Sequence, residues 1–244
     1  MRRWLRVPAG LELPPWAQSR LAGGVAAELA ARQGRPLDAV IFGIVDLETT
    51  GFSPRQDRIV EIGLVVQRGA RILARESTLV ALDSALPSAI TALTGIDGSM
   101  LTGAPAESEA LTRLAGVLRE QRVERLVAHN ARFDAGFLAH AWERVEAAPV
   151  LPGFLCSLRL ARRLLKAPSY GLDRLVEQLG IPPAPRHRAL GDAEMTAALW
   201  YELLKRARLQ GLHTLEALEP FARLRVAPRP AASAPTVDGA TPID

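Results

Sequence analysis

The feature that most constrains the fold is an apolar segment, residues 39–45, that leads directly into Asp46-Leu47-Glu48. A nearly continuous apolar run that contains Val and Ile is typical of a strand buried on both faces. Burial on both faces requires other elements on each side of the sheet. The segment therefore predicts a central strand of an α/β domain, with acidic residues at its end.

The patterning downstream predicts the remaining elements of a mixed sheet. Two further strands, 58–68 and 71–80, flank Gln67-Arg68-Gly69-Ala70, which is typical of a hairpin turn. Later segments predict further helices and strands: helices at 107–120, 131–147 and about 190–209, and short strands at 125–128 and near Phe154. Hairpin strands joined to strand–helix units predict a mixed α/β fold.

Composition divides the chain into three regions. Residues 1–38 form an N-terminal extension with one predicted helix, which begins at Pro14-Pro15 and ends at Gly34. Residues 39–222 carry dense apolar periodicity and form the predicted folded domain. Residues 223–244 are rich in Ala and Pro and lack that periodicity, which predicts a flexible tail.

Bulk properties exclude several classes of protein. The single cysteine, Cys156, excludes an intramolecular disulfide and a cysteine-clustered zinc site. Charged and proline residues interrupt the basic N-terminus, so we expect no export signal, and no apolar run is long enough to span a bilayer. We therefore predict a cytoplasmic protein. The net charge of +4 permits nucleic-acid binding without indicating it.

The acidic pair at the end of the first strand is a candidate metal site. Alternating side chains place Asp46 and Glu48 on the same face of the strand. Two ionised carboxylates so close repel each other unless a cation lies beside them. An incidental acidic pair at a polar strand end is the alternative, because Asp-x-Glu alone is common.

Two later segments supply further candidate groups. In His129-Asn130-Ala131-Arg132-Phe133-Asp134 a strand ends and a helix begins, with Asn130 as the predicted N-cap and Asp134 in the first turns. His187 follows a Pro-rich loop, and Asp192 lies near the start of the long C-terminal helix. Taken alone, Asp134 is more typical of an acidic residue at a helix start than of a ligand, and a lone histidine in such a loop is usually a surface residue.

Together the three segments predict one reaction chemistry. Four carboxylates and no thiolate are the ligand set of two Mg²⁺ or Mn²⁺ ions. Two such ions about 3.5–4 Å apart hold the attacking and leaving oxygens of a phosphodiester displacement. A nearby histidine can accept a proton from the attacking water, since its unperturbed pKa of about 6.5 suits this step.

The three segments resemble the motifs of a known family. Ile44-Val45-Asp46-Leu47-Glu48-Thr49-Thr50-Gly51, residues 129–134 and His187-Arg188-Ala189-Leu190-Gly191-Asp192-Ala193 are similar, in order and spacing, to those of the DEDDh-type 3′–5′ exonucleases. This DnaQ-like family includes the proofreading epsilon subunit of bacterial DNA polymerase III. The tyrosine subclass has Tyr four residues before the last Asp; here Arg188 stands there and His187 lies five before Asp192.

The resemblance implies a ribonuclease H-like fold with a central five-stranded mixed sheet. It implies that Asp46, Glu48, Asp134 and Asp192 bind two divalent ions, Asp46 bridging both, and that His187 is the general base. It also implies that five positions contact the terminal nucleotide: Leu47, Thr49, Ile96, Asn130 and Phe133. Relatives often have Asp-Thr-Leu where this chain has Cys156-Ser157-Leu158, which changes local polar packing but no metal ligand.

The resemblance implies release of 5′-mononucleotides from the 3′ end of DNA, in proofreading or repair. Two alternatives stay open. The domain could serve mainly as a binding module beside a DNA polymerase subunit, although a scaffold has no chemical need for four carboxylates. It could instead process RNA, because discrimination rests on contacts to the 2′-hydroxyl that no residue here identifies.

Overall fold

A computed structural model describes residues 34–146, 151–184 and 187–224. The helix predicted between Pro14 and Gly34 and the tail beyond residue 224 fall outside these residues. No helix in the described part of the chain is both long enough and apolar enough to cross a membrane.

A five-stranded mixed sheet forms the centre of the domain, as predicted. Its strands are β1 (Ile41–Thr49), β2 (Ile59–Arg68), β3 (Arg71–Leu79), β4 (Arg125–Ala128) and β5 (Phe154–Cys156), in the spatial order β3-β2-β1-β4-β5. β2 is antiparallel to both β1 and β3, whereas β4 is parallel to β1 and β5. Gly69 has a positive φ of 57°, which the hairpin between β2 and β3 requires.

Eight helices pack around this sheet within the described ranges. They are α1 (Ser88–Thr94), α2 (Gly98–Leu101), α3 (Glu107–Glu120), α4 (Arg132–Arg144), α5 (Ser157–Leu164), α6 (Leu172–Gln178), α7 (Ala189–Leu209) and α8 (Leu215–Ala222). The predicted boundaries of α3 and α7 agree with these bounds to within one residue, because both segments carry long, regular apolar periodicity.

The sheet separates two hydrophobic cores. One core joins Phe42 and Ile44 of β1 to the helices from α5 onward, with the Trp200 ring edge-on to Phe42 at 5.4 Å. The other joins Val45 and Leu47 to α3 and α4. Alternate side chains of β1 therefore pack into opposite cores, which explains why the segment is apolar at successive positions.

Two predicted features differ from the structure. β1 continues through the acidic tripeptide to Thr49, because Asp46 to Glu48 still pair with residues 61–63 of β2. The prediction of Asn130 as the N-cap of α4 is wrong: Ala131 holds that position, and Asn130 has a positive φ of 64°. Asn is one of the few residue types that adopts this left-handed conformation readily, so it makes the tight turn out of β4.

Candidate active site

The end of β1 and the start of α7 bring three carboxylates together. One carboxylate oxygen from each of Asp46, Glu48 and Asp192 lies within 4.8 Å of the other two. Asp46 and Glu48 share the face of β1 that carries Phe42 and Ile44, and α7 packs across that face. Asp192 lies in the first turn of α7, where the positive end of the helix dipole favours a negative charge.

Asp134 reaches the same strand end from the opposite side of the sheet. It lies in the first turn of α4 and is only 3% exposed. Its carboxylate accepts a hydrogen bond from the backbone N–H of Leu47, the residue between Asp46 and Glu48. All four predicted carboxylates are therefore gathered around the end of β1.

Burial and mutual repulsion make the acidic groups hard to ionise. Desolvation raises the pKa of Asp46 well above its usual range, and the charges of Asp134, Asp192, Glu48 and Glu61 raise it further. Desolvation likewise raises the pKa of Asp134 to about 7, although backbone hydrogen bonds, including the one from Leu47, oppose this shift. A cation bound here would offset both effects, because it neutralises carboxylate charge that is shielded from water.

A fifth carboxylate, that of the buried Glu61, holds the start of α7 in place. Glu61 of β2 is 1% exposed and lies opposite Glu48 in the sheet. It accepts hydrogen bonds from Nε and Nη2 of Arg188 at 3.1 and 2.8 Å and from the backbone N–H of Ala189 at 2.9 Å. Glu61 therefore caps α7 from a neighbouring strand and fixes the segment between His187 and Asp192.

Gly63 permits this close contact between β2 and α7. A Cβ atom at Gly63 would lie only 2.2 Å from the carbonyl carbon of Ala189 and 2.4 Å from the backbone nitrogen of Leu190. These are backbone atoms, which cannot rotate away. The absence of a side chain at position 63 is thus what lets α7 begin beside Asp46, the pairing partner of Gly63 in β1.

His187 lies at the entrance to α7. It is partly exposed, and its backbone has a positive φ of 54°, which is uncommon for a residue with a Cβ. The next residue, Arg188, is held by Glu61, and Asp192 follows in the first helical turn. The structure thus brings His187 to the helix end that carries Asp192.

Comparison with known proteins assigns the family. The model of the exonuclease (RNase T) family matches residues 44–200, which contain all three predicted motifs. The chain belongs to this exonuclease family. The match confirms the resemblance to DnaQ-like, DEDDh-type 3′–5′ exonucleases and the ribonuclease H-like fold.

Two curated relatives contain this exonuclease domain within longer chains. A putative bifunctional exonuclease/endonuclease protein of Mycobacterium tuberculosis is 37% identical over 212 residues, which cover 80% of this chain and 32% of that protein. A PolC-type DNA polymerase III of Thermotoga maritima is 35% identical over 178 residues, which cover 73% of this chain and 13% of the polymerase. The chain thus spans less than a third of the length of either relative.

Two solved structures share the architecture of the exonuclease domain. Exonuclease X, in complex with 5′ overhanging duplex DNA, is 26% identical with a TM-score of 0.57 and covers 72% of this chain and 98% of its own. The nuclease domain of 3′hExo, a DEDDh family member bound to rAMP, is 18% identical with a TM-score of 0.62. The match covers 68% of this chain and 92% of that domain. The second likeness shows the fold alone.

The five positions predicted to contact a nucleotide differ in accessibility. Leu47, Thr49 and Ile96 are at most 7% exposed, backbone included, and Ile96 is fully buried in this conformation, with its N–H donating to the Thr94 hydroxyl. The Thr49 hydroxyl donates to the carbonyl oxygen of Gly51 at 2.6 Å. Asn130 is exposed and Phe133 is partly exposed, with the ring of Phe133 4.8 Å from that of Phe137.

The sequence patterns did not identify Glu61 and Gly63 as part of the candidate site. The signal in the sequence is a single carboxylate inside an apolar strand, Ile59-Val60-Glu61-Ile62-Gly63-Leu64-Val65. Because a charged residue is almost never buried unless it is paired, this pattern predicts a positively charged or hydrogen-bonding partner for Glu61. Only the three-dimensional structure identifies that partner as Arg188, which lies 127 residues further along the chain.

Ser157, in the segment that departs from the family pattern, contacts His129. His129 lies between two partners: its Nδ1 is 2.9 Å from the Ser157 hydroxyl, and its Nε2 is 2.9 Å from the carbonyl oxygen of Tyr170. Since a carbonyl oxygen only accepts, Nε2 carries a proton. In the neutral tautomer the Ser157 hydroxyl donates to Nδ1, the nearer of its two acceptors; the other is the carbonyl oxygen of Ala128 at 3.3 Å. Burial lowers the pKa of His129, in agreement with this neutral form.

We expect His129 to make the folded protein less stable under mildly acidic conditions. In the unfolded state its imidazole binds a proton at the ordinary histidine pKa of about 6.5, whereas burial lowers the pKa in the folded state. The free energy of unfolding should therefore decrease as pH falls below about 6.5 and level off below the lowered pKa. Urea unfolding of the wild type and His129→Gln between about pH 7.5 and 5 measures this; an equal slope for both proteins would contradict the prediction.

Proposed function

We propose that this chain is a metal-dependent 3′→5′ exonuclease that hydrolyses the terminal phosphodiester bond of DNA and releases 5′-mononucleotides. The observation that carries the proposal is the cluster of Asp46, Glu48 and Asp192, with Asp134 against the same strand end. Membership of the exonuclease family supports it independently. We extend the proposal to residues 39–222 as the catalytic domain, with 1–38 and 223–244 as an extension and a tail.

The donor set fits hard divalent cations. Every proposed ligand is a carboxylate, which is the chemistry that Mg²⁺ and Mn²⁺ prefer. Asp46 interacts electrostatically both with Asp134 and with Glu48 and Asp192, which supports its assignment as the bridging ligand. Two bound ions would supply the positive charge that stabilises the attacking and leaving oxygens of the displacement.

The remaining residues would hold the substrate and move a proton. His187 would accept the proton of the attacking water at an imidazole nitrogen, from a position fixed by the contact of Arg188 with Glu61. Leu47, Thr49, Ile96, Asn130 and Phe133 would surround the terminal nucleotide, and Asn130 and Phe133 are the most accessible of the five. With the nucleotide fixed, hydrolysis needs little further reorganisation of the protein.

The order of labelled products tests the proposal. The purified protein would be incubated with single-stranded DNA, mismatched duplex DNA and RNA of one sequence, labelled at the 5′ end, with Mg²⁺, Mn²⁺ or EDTA. We expect progressive shortening from the 3′ end with either cation, and none in EDTA or with a blocked 3′ end. Internal cleavage, or cleavage that resists chelation, would overturn it.

The same substrates separate DNA from RNA preference. We propose DNA, because a relative at 26% identity is named in complex with duplex DNA and PolC-type polymerases contain a similar domain. Those polymerases also support an association with a DNA polymerase subunit and a cytoplasmic location. Faster release from RNA than from matched DNA would reverse the preference without affecting the proposed chemistry.

Glu61→Gln is predicted to weaken the metal site without contacting a metal. The amide loses the charge that holds Arg188, so the segment from His187 to Asp192 becomes less well fixed. Outer groups that orient metal ligands typically contribute about 10–100-fold to metal affinity or activity, and we expect a change of that size. The measurement is initial rate against Mg²⁺ concentration, with an increase in the half-saturating concentration.

Glu76→Gln is the matched control for Glu61→Gln. Glu76 lies on the neighbouring strand β3 and pairs with Arg113 at 2.7 Å, in an exposed ion pair away from the acidic cluster. Exposed pairs contribute little to stability, so this variant should behave as wild type. An unchanged Mg²⁺ dependence in Glu61→Gln would show that Glu61 does not position the site.

A further inference from the structure

The exposed side of α5 carries a basic stripe, which we define as Arg159, Arg162, Arg163 and Lys166. The spacing of three and four residues places Arg159, Arg162 and Arg163 on one side of α5, and Lys166 follows two residues after the helix ends at Leu164. All four are exposed, whereas Leu160 and Ala161 between them are buried in the core. The three arginines span about 6 Å along the helix at a rise of about 1.5 Å per residue.

The basic stripe lacks acidic partners within the part of the chain that the structure describes. None of its four members forms an ion pair there, whereas arginines elsewhere, such as Arg125, Arg144 and Arg188, do. On neighbouring α8, Glu219 is already bound to Arg125, and Glu216 accepts from the backbone N–H of Arg35. The positive charge of the stripe is therefore available to a ligand.

Two of the arginines are held by aromatic rings. The guanidinium of Arg162 lies over the Tyr170 ring at 5.9 Å, and that of Arg163 lies over the Phe221 ring at 5.0 Å. Stacking restricts these side chains while leaving their N–H groups able to donate to an anion. An ordered guanidinium loses less conformational entropy when it binds than a freely rotating one.

Helix stability alone does not account for the stripe. Arg162 and Arg163 lie in the last turn of α5, where the helix dipole favours cations. Arg159 lies in the first turn, where the dipole disfavours it, and Lys166 lies beyond the helix end. Like charges three and four residues apart also repel. The helix dipole therefore accounts for Arg162 and Arg163 but not for Arg159 or Lys166.

The stripe begins near the acidic cluster. In the parallel part of the sheet Ile44, Val127 and Leu155 form one row across β1, β4 and β5. Two residues further along come Asp46, His129 and Ser157, and the Ser157 hydroxyl lies 2.9 Å from His129. With strands about 4.8 Å apart, the start of α5 lies about 10 Å across the sheet from Asp46.

We propose that the basic stripe binds the phosphodiester backbone of the strand whose 3′ end enters the acidic cluster, a few nucleotides upstream of that end. This inference rests on the proposed exonuclease function. Arginine is the side chain best suited to phosphate, through its planar set of donors. The four cations lead away from an acidic cluster that would itself repel a phosphate backbone without bound metal ions.

The test replaces three arginines at once. Arg159, Arg162 and Arg163 are changed to Gln, and the matched control changes Arg68, Arg119 and Arg122 to Gln. The control residues are exposed and form no ion pair with another described residue. They lie near the starts of β1 and β4, at the end of the sheet away from Asp46. Both variants lose the same net charge, so general electrostatic attraction is reduced equally.

We expect the effect of the stripe variant to depend on substrate length. Its KM for a 12-nucleotide single strand should rise about tenfold relative to the control at about 0.1 M salt, with kcat unchanged, while a dinucleotide should be cleaved alike by both. The slope of log KM against log salt concentration should decrease by about 2, because each of the three lost phosphate contacts contributes roughly 0.7 to it. Equal KM values for both variants at every length would overturn the proposal.

A binding assay separates this inference from the proposed function. Fluorescence anisotropy of a labelled 12-nucleotide strand, in Ca²⁺ and with an unfolding temperature for each variant, measures affinity without hydrolysis. Weaker binding by the stripe variant alone supports the proposal even if the wild type releases no nucleotide, which would refute the proposed function instead. Equal affinity of both variants, as a protein ligand for the stripe would give, would refute the inference.

Discussion

Asp46→Asn should abolish nucleotide release while leaving the metal-free protein at least as stable as the wild type. The carboxylate is clustered with those of Glu48 and Asp192, the charge of Asp134 also acts on it, and it is the proposed ligand of both cations. Metal ions contribute several kcal/mol to the stabilisation of such a transition state. Because each ~1.36 kcal/mol is a factor of ten, we expect the rate to fall by about 10³-fold or more.

The stability of Asp46→Asn should change in opposite directions with and without metal. Burial and four neighbouring carboxylates raise the pKa of Asp46, so its charge destabilises the metal-free fold at neutral pH. Asparagine removes that charge, and the unfolding temperature in EDTA should stay equal or increase. Added Mg²⁺ or Mn²⁺ should raise the unfolding temperature of the wild type and have little effect on the variant.

Asp38→Asn provides the control for this experiment. Asp38 is an exposed acid that pairs with Arg208 on the surface, and the substitution is chemically identical. It should change neither activity nor the response to metal. A form of Asp46→Asn that kept most of its activity, or that Mg²⁺ stabilised as strongly as the wild type, would refute the metal assignment.

His187→Ala should reduce kcat by about 10²–10⁴-fold, which is the range that a positioned general base contributes. KM and the stabilisation by Mg²⁺ should stay close to their wild-type values, because His187 is not among the proposed metal ligands. Single-turnover cleavage of a 5′-labelled oligonucleotide with saturating enzyme measures the chemical step. Added imidazole should restore part of the rate to the variant.

The control for His187→Ala is His213→Ala. His213 is exposed near the start of α8, and only its backbone carbonyl makes a described contact, to the N–H of Leu37. A loss of Mg²⁺ stabilisation in His187→Ala would assign His187 to the metal site or to the folding of the α7 start. An unchanged kcat would exclude it as the base.

The positive φ of His187 complicates the interpretation of His187→Ala, because the substitution changes the backbone energy as well as removing the imidazole. Alanine at a φ of 54° is strained, so part of any loss could come from the backbone. His187→Asn is the useful companion, because Asn tolerates this conformation and cannot act as a base. A kcat as low in His187→Asn as in His187→Ala assigns the loss to the missing imidazole.

Sequence patterning predicted much of this fold because the relevant signals are local. The apolar run into Asp46 predicts a central strand, and long regular periodicity predicts α3 and α7 almost to the residue. The predicted boundaries were less accurate where local signals conflict. Asp46 and Glu48 are typical of a strand end, yet pairing with β2 continues β1 to Thr49, with a register shift between Glu48 and Thr49. Asn130 has the residue type of an N-cap, yet its left-handed φ places it in the turn before the actual N-cap, Ala131.

The sequence by itself determined which residues are the candidates for the chemistry. Residue type, order and spacing, together with the resemblance to the family motifs, predict Asp46, Glu48, Asp134, His187 and Asp192, because a two-metal reaction needs clustered carboxylates and a nearby base. It could not determine what holds them. In the sequence, Glu61 is an unexplained charge in an apolar strand and Gly63 is a residue that weakens a strand. Their roles become clear only when α7 is packed against them.

Only the tertiary structure decided how α7 is attached to the sheet and how hard the acidic cluster is to ionise. Both depend on residues that are distant in the chain and on burial. Hydrogen bonds from Arg188 and Ala189 stabilise Glu61, whereas Asp46 and Asp134 are desolvated beside other acids and have raised pKa values. Electrostatic energy depends on distance and solvent access, and these quantities exist only once the chain has folded.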